Sequence, residues 1–225
     1  MSINNWPTTE RPRERLLTQG PAALSNTELL AILLGSGTRG RTVIDLSRHL
    51  LTQFGGLAGL LSTDHKQLLA VKGLGQAKVA SIAAILELAK RMMRENLREC
   101  TALTSSNAAK DYLCAELGNA KQEVFWALFL NTQHQIIASE ALATGTLDSA
   151  SIYPREILKA CLHHNAAAVI FAHNHPSGLL TASEADKAIT QRLQRALELV
   201  DIRVLDHIIV AGNQTLSMAE TGLLN

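Results

Sequence analysis

The chain has 225 residues, 47% of them hydrophobic and 18% charged. That length allows one or two domains with a substantial core, and that balance excludes an intrinsically disordered chain. No apolar run reaches the roughly 18 residues of a membrane-spanning helix, and residues 1–20 carry no apolar stretch of the secretory-signal kind, so a cytoplasmic protein with no membrane partner is expected.

Cys100, Cys114 and Cys161 are odd in number and lack a C-x-x-C spacing, which fits reduced thiols and nominates none as a ligand. Charge is unevenly placed. Residues 1–100 hold 13 Lys/Arg against 8 Asp/Glu, net +5, and residues 101–225 hold 8 against 12, net −4. A basic first part admits an anionic partner such as DNA; a mildly basic solvated face is the plainer reading.

Residues 1–20 read as a polar arm, with Pro7, Pro12 and Pro21 limiting regular helix. Ser25-Asn26-Thr27-Glu28 has the capping-box pattern and starts a helix whose apolar run, Leu29 to Leu34, ends at Gly35-Ser36-Gly37. Further helices are predicted from Thr42 to Phe54 and from Leu57 to Leu61. The pattern then repeats at an offset of 39 residues: Leu68-Leu69-Ala70, the turn Gly73-Leu74-Gly75, and a helix from Gln76 to about Arg94. This second copy resembles a helix-hairpin-helix. Gly73 and Gly75 allow the tight turn, and Leu74 would anchor it in the core. The amides of the following helix start can hold a DNA phosphate, with Lys72 and Lys78 beside them. The first copy is degenerate but carries Arg39 and Arg41 at its turn. Helical hairpins of this kind also serve purely as protein contacts.

A polar linker is expected over residues 95–104, which divides the chain into a helical domain, 1–100, and a second domain, 101–225. The second domain should open with a helix over Asn107 to Leu117. Strands follow at Glu123 to Leu130, Ile136 to Leu142 and Ala143 to Leu147. A helix from Pro154 to His163 leads to a buried strand ending at Ala172. A helix from Ser183 to Val200 and strands at Ile202 to Leu205 and His207 to Ala211 complete it. Alternating strands and helices imply a layered α/β sheet.

The buried strand runs into His173-Asn174-His175-Pro176-Ser177-Gly178, and Ser183-Glu184-Ala185-Asp186 follows. In extended chain, residues i and i+2 point to one side, so His173 and His175 can reach one ion together. The Pro-Ser-Gly turn folds the chain back, and Asp186 can supply a third ligand. Three protein ligands with an open position describe a catalytic zinc, at which a bound water becomes acidic near neutral pH. Ser183-x-x-Asp186 also has the form of a helix capping box; the two roles are compatible.

The spacing His-x-His-Pro, six residues, Ser-x-x-Asp matches the JAMM (MPN-plus) metalloprotease motif without departure. Pro154-Arg155-Glu156, the His-Asn-His-Pro-Ser-Gly run and Leu205-Asp206-His207-Ile208-Ile209 resemble the bacterial RadC-type JAMM family (UPF0758). Arg13-Glu14-Arg15-Leu16-Leu17 and the run from Leu24 to Leu34 resemble its leader domain.

The resemblance implies a curved, deaminase-like sheet flanked by helices, preceded by an all-α helix-hairpin-helix domain. It implies one Zn2+ held by His173, His175 and Asp186, with Glu123 as general base and Ser183 stabilising the oxyanion. Glu116, Glu140 and Glu156 are rivals for the base. The implied function is hydrolysis of a peptide or isopeptide amide bond in an unidentified protein or peptide substrate. The alternative is a DNA-binding accessory protein, associated with repair or recombination, whose metal site is structural or vestigial. Deamination is disfavoured, since the H-x-E…P-C-x-x-C signature is absent. Three ligands for one zinc are also unlike the paired-metal nucleases.

Overall fold

The structure is a computed structural model that describes residues 6–99, 106–145 and 152–224. Cys100, the end of the expected linker and the tip of the expected third strand lie outside these. The chain divides into two compact units, Met1–Ala89 and Lys90–Asn225, so the division falls inside a helix rather than at residue 100.

The first unit contains α1 (Pro12–Gln19), α2 (Asn26–Leu34), α3 (Val43–Gln53), α4 (Leu57–Leu61), α5 (His65–Leu69) and the start of α6 (Gln76–Glu99). α1 corrects the expectation of a polar arm: Pro12 stands at the first helical position, where its fixed φ suits a helix and no amide is missed. α6 runs through residues 95–99, which were read as linker. Arg, Glu and Leu are good helix formers, and a polar run without Gly or Pro does not stop a helix.

Capping boxes start α2 (Ser25 with Glu28) and α3 (Thr42 with Asp45). The core is almost wholly leucine: Leu30, Leu34, Leu46, Leu50, Leu60 and Leu68, joined by Leu74, Val79 and Ile82. Leu74 is buried at the tip of the Gly73–Gly75 turn, which ties that turn to the core.

The second unit opens with the remainder of α6 and α7 (Ser106–Leu117). A five-stranded sheet follows, built from β1 (Val124–Leu130), β2 (Ile136–Thr144), β3 (Ala168–Asn174), β4 (Arg203–Ala211) and β5 (Gln214–Ser217), with α8 (Pro154–His163) and α9 (Glu184–Glu198) between strands. The order across the sheet is β2-β1-β3-β4-β5. β3 and β4 are parallel, as the intervening helix requires, and the other neighbours are antiparallel.

Three expectations are corrected. Ala143 and Thr144 belong to β2 rather than to a separate strand. The two strands expected around Asp206 are one, β4, because Asp206 keeps strand pairing opposite Ile170. β5 was not expected; it is short and polar in composition.

Both sheet faces are covered, so β3 is buried at every residue, as a central strand between two helical layers must be. α7 packs with Leu128, Leu130, Ile170, Ala172, Ile208 and Val210 on one face. α8 and α9 pack with Phe125, Phe129, Val169, Phe171 and their neighbours on the other. Period-two alternation therefore puts Phe125, Phe171 and His173 on the α9 side.

Candidate metal centre

The site forms where β3 ends and α9 begins. His173 closes the buried strand opposite Phe125 of β1. His175 continues the β3–β4 pairing by one step, its amide donating to Val210 O at 2.8 Å. Gly178, at φ +79°, completes the turn, and the Gly178 amide donates to His175 O at 3.0 Å. The chain then returns to Ser183, which caps α9, and Asp186 projects from the first turn.

His173 Nε2 lies 2.9 Å from His175 Nε2 and 3.1 Å from Asp186 Oδ1, and His175 Nε2 lies 3.6 Å from Asp186 Oδ2. Ligand atoms about 2.0–2.1 Å from a tetrahedral zinc stand roughly 3.3 Å from one another. The three separations bracket that value. The His173 side chain is 3% exposed, against 14% for His175 and 15% for Asp186. The cluster is therefore closed behind His173 and open in front, which suits a ligand set with a vacant position. Behind it, a cavity of about 10 Å³ is walled by Phe125, Ile152, Ile189 and His207, space for no more than about one water.

One proton can be assigned. His175 Nδ1 lies 2.8 Å from Leu179 O; a carbonyl only accepts, so Nδ1 carries the proton and Nε2 presents a lone pair. His173 Nδ1 lies 2.8 Å from His207 Nε2. The two Nε2 atoms thus approach to 2.9 Å, with a carboxylate as the third corner. Imidazoles whose outer nitrogens are held by hydrogen bonds while the inner ones converge on a carboxylate are what metal ligation uses.

Burial pushes the Asp186 carboxyl up, but the facing His173 and the hydroxyl and amide of Ser183 outweigh it and hold the group well below the usual carboxylate range. Ser183 forms the full capping box. Its amide and hydroxyl donate to Asp186 Oδ2 at 2.8 and 2.7 Å, and its oxygen accepts from the Asp186 amide at 3.1 Å. The hydroxyl proton of Ser183 is thus directed at a ligand.

Glu123 immediately precedes β1, and Asn174 fastens the backbone on either side of it. Asn174 Oδ1 accepts from the Val124 amide at 2.8 Å, while Nδ2 donates to Ala120 O and Gln122 O at 3.1 and 3.0 Å. The residue between the two histidines thus fastens the segment that contains Glu123. The rivals are engaged elsewhere. Glu116 pairs with Lys90 and Arg94, Glu156 with Arg155 and Lys159, and Glu140 lies on β2 beside His164.

Sequence reasoning missed Thr190 and underread His207. In the sequence His207 stands out only within the run Leu205-Asp206-His207-Ile208-Ile209. In fact it is fully enclosed in β4, between His173 and Thr190. Burial and the neighbouring His173 lower its pKa well below the ordinary histidine value, so it is neutral. The one available signal was spacing: Thr190 is four residues after Asp186, on the same helix face.

In the first unit, Lys72 is exposed, and Gly75 has open space where a side chain would stand. Lys78 is occupied otherwise than expected. Its Nζ donates to Ser36 O, Gly37 O and Gly73 O at 2.6, 3.3 and 3.1 Å. An ammonium has three protons, so Lys78 staples the two glycine turns and leaves nothing for a phosphate. Gly73, at φ +107°, has no room for a side chain; a Cβ would stand 2.3 Å from Thr38 Cγ2. Beside these turns, an open groove of about 810 Å³ is lined by Arg11, Arg13, Arg39 and Arg41, with Glu14 and Asp45.

Known protein families match both parts of the chain. A RadC-like JAB domain family matches residues 103–223, and a UPF0758 N-terminal family matches residues 3–80. A UPF0758 protein of Azotobacter vinelandii is 53% identical over the full length of both chains. One from Stutzerimonas stutzeri is 52% identical over 99% of each, and one from Pseudomonas fluorescens is 53% identical over the full length of both. The chain belongs to the UPF0758 family and carries a RadC-like JAB domain.

Proposed function

We propose that this member of the UPF0758 family is a zinc-dependent hydrolase that cleaves peptide or isopeptide amide bonds. The observation that carries the reading is the convergence of three ligand atoms, His173 Nε2, His175 Nε2 and an Asp186 carboxylate oxygen, with their second nitrogens or oxygens committed elsewhere. Zinc held there would polarise an amide carbonyl and lower the pKa of a water at the open position.

The remaining work falls to the chain. Glu123 takes the proton of the attacking water and returns it to the departing amine nitrogen, as a general base and then acid. Asn174 keeps its backbone in register for that task. The Ser183 hydroxyl turns from Asp186 Oδ2 toward the carbonyl oxygen as negative charge grows there.

The test is metal content first, then turnover. Purified wild type should hold about one zinc per chain, and His173→Ala none. A screen of peptide and isopeptide substrates should then show turnover that falls by about 10²–10⁴-fold in Glu123→Gln, with zinc retained. Absence of zinc uptake by wild type overturns the reading.

A second reading concerns the first unit alone. Arg13, Arg39 and Arg41 line one groove and make no ion pair with the described residues, and guanidinium forks match phosphate. DNA binding there, by an accessory protein whose metal site is structural or vestigial, predicts a log K against log salt slope of no more than about −3, since three arginines meet about three phosphates. Arg39→Ala/Arg41→Ala should flatten that slope; a slope unchanged by the double substitution rejects the groove.

A further inference from the structure

We infer that His207 and Thr190 are positioning residues: they form a one-way hydrogen-bond relay that fixes His173 in its Nδ1–H tautomer and so holds its Nε2 lone pair toward the metal position. The inference rests on the metal-site reading above, but not on hydrolysis.

The relay runs from His173 through β4 to α9. His173 Nδ1 lies 2.8 Å from His207 Nε2, His207 Nδ1 lies 2.5 Å from Thr190 Oγ1, and Thr190 Oγ1 lies 2.6 Å from the main-chain oxygen of Asp186. With neutral rings, two proton arrangements satisfy the first two contacts. In one, every proton points away from the metal position. In the other, the Thr190 hydroxyl donates to His207, His207 donates to His173, and the His173 proton sits on Nε2, where it blocks ligation.

The last contact chooses between them. A carbonyl oxygen has no proton to give, and a hydroxyl has only one. At 2.6 Å the Thr190 proton lies toward Asp186 O. Thr190 Oγ1 must then accept from His207 Nδ1–H, His207 Nε2 must accept from His173 Nδ1–H, and His173 Nε2 is left bare. Asp186 therefore serves the site twice, through its carboxylate and through the carbonyl that sets the direction of the relay.

The surroundings keep the relay from being rewired. His207 and Thr190 are 0% and 1% exposed, so no bulk water substitutes for a lost partner. The His207 ring stands edge-on to Phe125, at 5.5 Å and 82°, and to Phe171, at 6.3 Å and 76°. Its backbone is pinned by Asp206, whose Oδ1 accepts from the His207 and Ala219 amides at 2.7 and 2.9 Å and whose Oδ2 accepts from Ser217 Oγ at 2.6 Å. The His207 carbonyl accepts from the Met218 amide at 3.0 Å.

Thr190→Val keeps the shape and removes the hydroxyl. His207 then has no acceptor for an Nδ1 proton, its tautomer reverses to Nε2–H, and His173 follows into the form that cannot ligate. Thr190→Ser restores the hydroxyl.

The experiment uses the full-length protein with zinc alone as the probe. Zinc affinity is measured by competition with a chromogenic chelator, and the histidine tautomers of the metal-free protein are read by nitrogen-15 NMR. Thr190→Val should bind zinc about 10–100-fold more weakly than wild type, and Thr190→Ser should match wild type. Metal-free wild type should show His173 as Nδ1–H, and Thr190→Val as Nε2–H. Equal zinc affinity in wild type and Thr190→Val overturns the inference, as does His173 in the Nε2–H form in wild type. If Thr190→Val does not fold, the wild-type spectrum decides. If wild type takes up no zinc, the hydrolase reading fails, while the spectrum still decides the relay.

Discussion

Each unit contains a turn at which electron-rich atoms converge, and the two turns differ in what closes them. In the helical unit, the carbonyls of Ser36, Gly37 and Gly73 meet, and the chain supplies its own cation, Lys78 Nζ, from the first turns of α6. In the α/β unit, His173 Nε2, His175 Nε2 and the Asp186 carboxylate meet, and no lysine or arginine of the described residues pairs with them. The first convergence is complete as a structural joint. The second is paired with no lysine or arginine and presents imidazole nitrogens beside a carboxylate, a donor set that suits zinc. The same electrostatic motif is thus finished by folding in one place and left for a ligand in the other.

The largest effect should come from unmaking the ligand set. Asp186→Ala removes a ligand, the carboxylate half of the cap and the charge that compensates the metal. Zinc content after dialysis against a weak chelator should fall from about one per chain to none. Zinc retained at the wild-type level in both Asp186→Ala and His173→Ala would put the metal elsewhere and dissolve the contrast between the two turns.

The complementary change is Lys78→Met, which keeps most of the stem and removes the ammonium. Three carbonyls then lose their partner, and stability should fall by about 1–3 kcal/mol, read as a lower thermal midpoint with zinc content unchanged. Gly73→Ala attacks the same joint from the backbone side. A Cβ at φ +107° that meets Thr38 Cγ2 at 2.3 Å should cost about 1–3 kcal/mol, again without effect on zinc. If Lys78→Met leaves the thermal midpoint in place, the ammonium is not the cement of these turns and returns to candidacy as a phosphate contact.

These differences also mark what was legible in the sequence. His173, His175, Ser183 and Asp186 lie within fourteen residues on one strand–turn–helix, and side-chain spacing alone declares them. Leu74 was legible for the same reason, as the apolar residue between two glycines. The role of Lys78 was not, because its partners are backbone carbonyls some forty residues away, and carbonyls carry no sequence signal. His207 and Thr190 were hidden differently. Each looks ordinary where it stands, and only the packing of α9 across β3 and β4 brings them into line with His173. The polar run 95–99 misled because composition reports exposure, and an exposed segment is as readily a helix as a linker.

The finest discrimination concerns Ser183, whose geometry repeats in the other unit. Ser25 caps α2 much as Ser183 caps α9. Its hydroxyl and amide donate to Glu28 Oε2 at 2.8 and 2.9 Å, and its oxygen accepts from the Glu28 amide at 3.4 Å. If Ser183 is only a cap, Ser25→Ala and Ser183→Ala should be equivalent, each costing about 1 kcal/mol of stability, with turnover untouched by either. If Ser183 also steadies the oxyanion, the stability losses should still match, while Ser183→Ala alone lowers kcat by about 10²–10³-fold. The Ser25 variant calibrates the structural part of the effect within the same molecule, so any excess at Ser183 measures what that hydroxyl does beyond holding the helix end.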